Sequence, residues 1–358
     1  MMLATENRVV RGSAETRRRA RRGPRGWATV VLAASVCLAQ PARTEPVTIR
    51  VGWVSAISNL VSILFLKPGI ARHEGRSYTL AASHSANAPF MVPALAIDQL
   101  DIATLTYSAL ALAIENARMT DLRVIADEFQ DGVDGFYSNE FFVLKESPIG
   151  RIEDLKSKVL AVNRIGDALD MALRALMRKH GMEEERDFTV IEISSPEQKA
   201  ALAARKAALV GSAPPFSQDP ELRRMARALF TQRDAVGSSQ MMVWVARQGF
   251  LQKNRAAIVD FLEDAIRARR YYTDPAHHRE VVALAAQFTK QSAAAYESWL
   301  FTKSGDYYRD PRALPDLEAL QRAIDVQRQL GFLRDPIDIR DYADLALVKE
   351  AAARLNQP

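Results

Sequence analysis

Short apolar runs rich in β-branched residues alternate with helical stripes along most of this chain, and the pattern runs through twice. No other feature restricts the fold as much. Strands separated by helices need crossover connections, and these build sheets covered on both faces. Residues 47–54 alternate as a strand, followed by strands at 78–82, 101–106 and 122–126. Between them, 59–66 reads as a helix capped by Ser55 and Ser58 and ended by Lys67-Pro68-Gly69. His84-Ser85-Ala86-Asn87 leads into a second helix with Pro89 in its first turn, and Tyr107-Ser108 opens a third.

The pattern restarts at 141–144 (FFVL) and 158–162 (KVLAV), which bracket a turn marked by Ser147-Pro148 and Gly150. The second run stops at the polar loop Asn163-Arg164-Ile165-Gly166. A helical stripe of Leu169, Ala172, Leu173, Leu176 and Met177 then runs to Gly181. A strand at 189–193, a helix at 196–205 and a strand at 207–211 complete this half. ALAIDQLDIATLTYS (94–108) is echoed by ALAARKAALVGSAPP (201–215), each being helix, turn, strand and polar loop. From Met241 onward one strand is followed by helices, including the stripe Ile258, Phe261, Leu262, Ala265, Ile266 and a helix over 315–330.

The expected architecture is therefore α/β with two lobes, each a mostly parallel sheet flanked by helices. Residues 43–139 and 241–358 are expected in lobe 1 and 140–240 in lobe 2, because the C-terminal helices need a sheet to cover. A two-strand hinge would join them, with crossings near 139–143 and 238–245 and a bend at Gly132 and Gly135.

Residues 1–42 read as a leader for export. TRRRARRGPRG (16–26) is a basic segment and WATVVLAASVCLA (27–39) an apolar one, followed by small residues. Thirteen apolar residues fall short of the roughly 20 that span a bilayer. Cleavage after Ala39, with Ala42 the alternative, removes Cys37, the only cysteine, and leaves no disulfide or thiol chemistry. Lipid anchoring through Cys37 is a lesser alternative, since Val36 stands where a small residue is expected. The leader carries eight Arg against Glu6 and Glu15, which exceeds the net +5 of the whole chain, so the remainder is slightly acidic. A nucleic-acid-binding role loses its main support, because it needs a basic face on the folded part.

VTIRVGWVS at 47–55, ALAIDQLDIATLTYSALALAIENA at 94–117, and FFVLKESPIGRIEDLKSKVLAVN at 141–163 occur in an order that resembles the nitrate/sulfonate/taurine type of substrate-binding protein of ABC transporters. Arg247-Gln248-Gly249-Phe250-Leu251 with the Phe261 helix is similar to that family's last crossing. Ser157 stands where the family has Gly after DLK, and Arg205-Lys206-Ala207 replaces its acidic turn. The resemblance implies a type II periplasmic binding protein. Such a protein is a monomer that captures a small solute by lobe closure and presents it to an ABC permease, with no cofactor. Relatives of this shape include thiamine-pyrimidine synthases and small-molecule lyases, so an enzyme on the same fold is the rival reading, and a periplasmic sensor domain is another. Against catalysis, the chain has neither a G-x-S-x-G elbow nor a P-loop, and the His277-His278 pair sits at a turn into a helix, where solvation is the default.

Such a cleft is built from strand ends and helix N-termini. In lobe 1 the candidates are Trp53 and Ser55, His84 and Ser85, and Tyr107 and Ser108. In lobe 2 they are Asn163 and Gly166, then Ser212 and Phe216. Each also has a plain structural reading: Trp53 as core, Ser85 and Ser108 as helix caps, His84 as a surface-loop residue. Asp167, with Asp170 three residues on, reads as an N-cap whose charge occupies the place an oxyanion prefers. Either Arg164 offsets it, or the solute is neutral, zwitterionic or cationic in that half, which disfavours a simple inorganic oxyanion. Arg267, Arg269 and Arg270 form a basic cluster that would meet a membrane partner or, by default, line a solvated helix face.

Overall fold

A computed structural model gives the fold of residues 45–356; the expected leader, its cleavage site and Cys37 lie outside the described residues. The chain begins with β1 (Val47–Trp53), β2 (Tyr78–His84), α1 (Met91–Ala96), β3 (Ile102–Thr106), α2 (Tyr107–Glu115) and β4 (Leu122–Asp131). Then come β5 (Glu140–Leu144), β6 (Val159–Val162), α3 (Ala168–Lys179), β7 (Thr189–Glu192) and α4 (Gln198–Ala203). β8 (Leu209–Ser212), α5 (Pro220–Met225), β9 (Ala226–Thr231) and α6 (Gln232–Val236) follow. The last part holds β10 (Ser239–Arg247), α7 (Gln248–Lys253), α8 (Arg255–Thr273), α9 (His278–Thr289), α10 (Leu317–Gln329) and α11 (Ala346–Arg354).

Among the described residues ten strands form two five-stranded sheets, in the orders β2-β1-β3-β10-β4 and β7-β6-β8-β5-β9. Each has three parallel strands and then two antiparallel pairings, so four of its five strands run one way and the sheet is mixed only through its fourth strand. The cause is the same in both. The fourth strand of each sheet enters from the other half of the chain and runs against its neighbours. β5 follows β4 but sits between β8 and β9; β10 follows β9 but sits between β3 and β4. Residues 132–139 and 232–238 make the two connections, so the strands at 140–144 and 239–247 belong wholly to one sheet each. Residues 226–231 form a fifth strand of the second sheet, where no strand is expected from the sequence.

The C-terminal helices cover the first sheet. Trp244 of β10 stacks on Phe261 of α8 with centroids 5.4 Å apart, inside a cluster that includes Ile49, Val51, Leu60 and Ile258. Arg269 is buried and ion-pairs with buried Asp127 at 2.8 Å, while Arg267 pairs with Glu263 and Asp264. Arg270 is half-buried and donates to the Pro311 carbonyl at 3.0 Å, so the expected cluster is absent as a surface feature.

The helix expected over 59–66 is a single 3-10 turn, Leu60–Ser62. Polar side chains instead fix the chain that leads into it and its first residue. Asn59 Oδ1 accepts from the N–H groups of Val54 and Ser55, Ser62 Oγ accepts from Ile57, and the Glu128 carboxylate accepts from Leu60. Ser58 does not cap it; its hydroxyl points to the second sheet.

Candidate ligand cleft

The C-terminal ends of the parallel strands in the two sheets face each other and touch. Where β3 passes into α2, Thr106 is the N-cap, its Oγ1 accepting from Ala109 N–H at 3.2 Å. Where β6 passes into α3, Asp167 is the N-cap and accepts from Ala168 N–H at 2.8 Å. The two caps bond to one another across the cleft. Thr106 donates its hydroxyl to Asp167 Oδ1 at 2.6 Å, and Ser108 donates to the same oxygen at 3.1 Å. Asn163 Nδ2 stands 3.4 Å from the other oxygen. The carboxylate is 5% exposed, and its close partners are all neutral. It therefore lies where the positive ends of two helix dipoles converge. Arg164 does not offset it; that side chain pairs with Glu192 at 3.0 Å and lies over the Phe90 ring.

Tyr107 is buried to 1% and donates its hydroxyl to the Ala168 carbonyl at 3.2 Å. Burial holds its pKa well above the ordinary tyrosine range, and the charges of Asp167, Asp131 and Asp170 push the same way. Asp170 accepts Gly166 N–H at 2.8 Å and pairs with Arg174 at 2.7 Å. Gly166 has φ +85°, a conformation that favours glycine, and brings the loop against Leu112 of α2.

The other candidates are less central. Ser212 is buried at the end of β8, opposite Glu140, and Phe216 starts a half-buried 3-10 turn just after the cis Pro214-Pro215 peptide. Across from them, Ser58 donates to the Pro214 carbonyl at 2.9 Å. Trp53 packs on His84 with centroids 4.8 Å apart, half-buried and exposed respectively, at the ends of β1 and β2. Ser55 gives its amide to Asn59, and Ser85 donates to the Asn87 carbonyl, so Ser85 serves its own turn. Thr106, Tyr107, Ser108, Asn163 and Gly166 thus come together; Trp53, His84 and Ser85 form a separate group.

Two features have no counterpart in the sequence reading. Arg309, 5% exposed, pairs with Asp306 at 3.1 Å and donates to the Ser58 carbonyl at 2.8 Å. Beside it Phe129 stacks on Tyr307 at 4.1 Å. A second seam joins Tyr137 to Ser217 at 2.7 Å and Gln218 to the Gly305 carbonyl at 3.1 Å. The spacing of Asp306 and Arg309, with tyrosines between, was the available signal. Among the described residues, His73, Asp260 and Glu263 are close enough to share a metal, but Arg354 and Arg267 already pair with those carboxylates, which makes them an ion-pair lattice. A cavity of about 220 Å³, lined by Leu144, Pro148, Leu202 and Arg205, lies at the opposite strand ends of the second sheet, away from the Asp167 contacts.

Two mixed α/β sheets with exchanged fourth strands and facing loops define the type II periplasmic-binding-protein fold. The chain belongs to the NMT1-like family, which it matches over residues 42–286. In structure it is similar to the periplasmic aliphatic sulphonate-binding protein SsuA from Escherichia coli. The TM-score is 0.67 at 17% identity, covering 84% of this chain and 92% of that one. It is also similar to the periplasmic nitrate-binding protein NrtA from Synechocystis PCC 6803, with TM-score 0.68 at 13% identity over 88% and 90%. The desulfurization enzyme DSZB shares the fold too, with TM-score 0.62 at 16% identity over 87% and 100%. Among curated proteins no sequence matches. No helix among the described residues is long and apolar enough to cross a membrane.

Proposed function

We propose that this protein is an exported, periplasmic solute-binding protein that captures a small organic solute between two lobes and delivers it to the permease of an ABC importer. The observation that carries this reading is the contact of Asp167 with Thr106 and Ser108. Loops from two separately built sheets meet there through polar groups, and such groups can exchange one another for a solute with little net loss. Residues 43–139 and 241–358, with Ser239 and Gln240 of β10, act as one lobe and the rest of 140–240 as the other, moving about the segments 132–139 and 232–238. Binding uses differential affinity for the closed form and makes no bonds.

Asp167 argues against nitrate or sulfate as the solute, because either would have to sit beside a fixed negative charge. A sulfonate remains compatible if its head group lies elsewhere in the cleft. The test is a thermal-shift screen of organic and inorganic solutes followed by calorimetry. Tight nitrate or sulfate binding, with no organic binder, would refute the assignment. The likeness to DSZB favours one other reading, an enzyme on this fold. Product formation on incubation with the solutes that bind would distinguish it.

A further inference from the structure

The groups around Asp167 are short of donors. Among the described residues its carboxylate has no cationic partner at contact distance, as its neighbours are two hydroxyls, an amide and a backbone N–H. Beside it, Asn163 Oδ1 is buried without a hydrogen-bond partner among the described residues. Gln327 of α10 is fully buried and donates its Nε2 to the Ser108 carbonyl at 3.3 Å, yet its Oε1 is also without a partner. Two buried amide oxygens and one buried carboxylate therefore surround the first turn of α2. Unpaired buried acceptors of this kind are uncommon, and a carboxylate without a counter-cation is more so.

We propose that the solute carries a protonated amine or guanidinium group that binds Asp167 between α2 and α3. This rests on the solute-capture reading given above and narrows its ligand class. An ammonium offers three donors and no acceptor. Asp167 and the adjacent Asn163 Oδ1 supply acceptors for it, and the hydroxyls of Thr106 and Ser108 can turn from donating to accepting once the carboxylate is taken. An anionic group in the same place would meet the carboxylate at contact distance. Like charges about 4 Å apart in a partly dry site weaken binding on the order of a thousandfold. The raised pKa of Tyr107, driven by burial and then by three carboxylates, reflects the same negative surroundings.

The test uses the full exported protein in thermal-shift and calorimetric titrations with ethanolamine, agmatine and a panel of other primary amines and guanidines. Isethionate, propionate and nitrate provide the anions without basic nitrogen. Amine or guanidine binders are expected, with Asp167→Asn weakening them at least about tenfold. Asparagine is as good an N-cap as aspartate, so the variant keeps α3 and isolates the charge. If anions without basic nitrogen bind and amines do not, or if Asp167→Asn binds amines as well as the wild type, this inference is overturned while solute capture stands. If no solute of either class shifts the melting temperature, both fail.

Discussion

Thr106 and Asp167 each cap a different helix and bond to each other at 2.6 Å, so one buried carboxylate serves the N-termini of α2 and α3 across the cleft. Local capping and contact between the sheets are here the same interaction.

Removing that carboxylate should therefore do two things at once. Asp167→Ala is expected to lower stability by about 2 kcal/mol, roughly half from the lost cap and half from the lost cross-cleft bonds. Small-angle X-ray scattering should also show a larger radius of gyration than the wild type. Unchanged stability and unchanged radius would mean that Asp167 holds nothing together.

Tyr107 separates a hydrogen bond from a packing effect. Tyr107→Phe loses only the bond to the Ala168 carbonyl and should cost about 1 kcal/mol in urea unfolding. Tyr107→Ala opens a cavity under α2 and should cost about 3–5 kcal/mol, with weaker solute affinity. Equal losses in the two variants would show that the ring contributes no packing.

Asp131 ends β4 and accepts from Ser138 Oγ at 2.6 Å and Asn139 N–H at 2.8 Å, at the start of the first connecting segment. Burial outweighs these bonds and pushes its pKa up to about 7 from an ordinary 3.8. The folded protein then keeps a proton that the unfolded chain has released. The stability it contributes is complete at low pH and is lost as pH rises through about 7. Asp131→Asn should flatten this slope, so that its stability relative to wild type rises between pH 5 and pH 8. Parallel pH profiles for the two proteins would disprove the assignment.

Gly305 lies in the loop that carries Asp306 and Arg309. A Cβ there would fall 2.5 Å from Trp299 Cα and 2.6 Å from Trp299 Cβ. Backbone cannot yield as a flexible side-chain tip can, so Gly305→Ala should cost about 1–3 kcal/mol or more. It should also disturb the bond from Gln218 to the Gly305 carbonyl, visible as altered amide exchange at that seam. A wild-type melting temperature would contradict this.

Elements with strong local signals were legible in the sequence. The stripe of α3, its Asp167 cap and its end at Gly181, which takes φ +69°, all follow from residues a few positions apart. So does α10, capped by Asp316 and stopped before Gly331. What failed depended on distant partners. The helix over 59–66 gave way to a turn pinned by Glu128 and by the side chains of Asn59 and Ser62, and β9 alternates too weakly to announce itself without β5 beside it. At the cleft, Tyr107, Ser108, Asn163 and Gly166 were identifiable as strand-end residues. That Arg164 would turn to Glu192, leaving Asp167 to hydroxyls, depends on how two sheets face each other, which no local spacing encodes.

The swapped fourth strands also set the order in which this chain can mature. All five strands of the second sheet lie within residues 140–231, but the first sheet lacks its fourth strand until Arg247 has been made. During synthesis the lobe encoded later is the first that can be completed. Until then β3 and β4, which flank β10 in the finished sheet, present open edges, the most aggregation-prone feature of a half-made sheet. A nascent chain halted between residues 231 and 247 would hold one finished lobe and one unfinished lobe that needs protection by a chaperone.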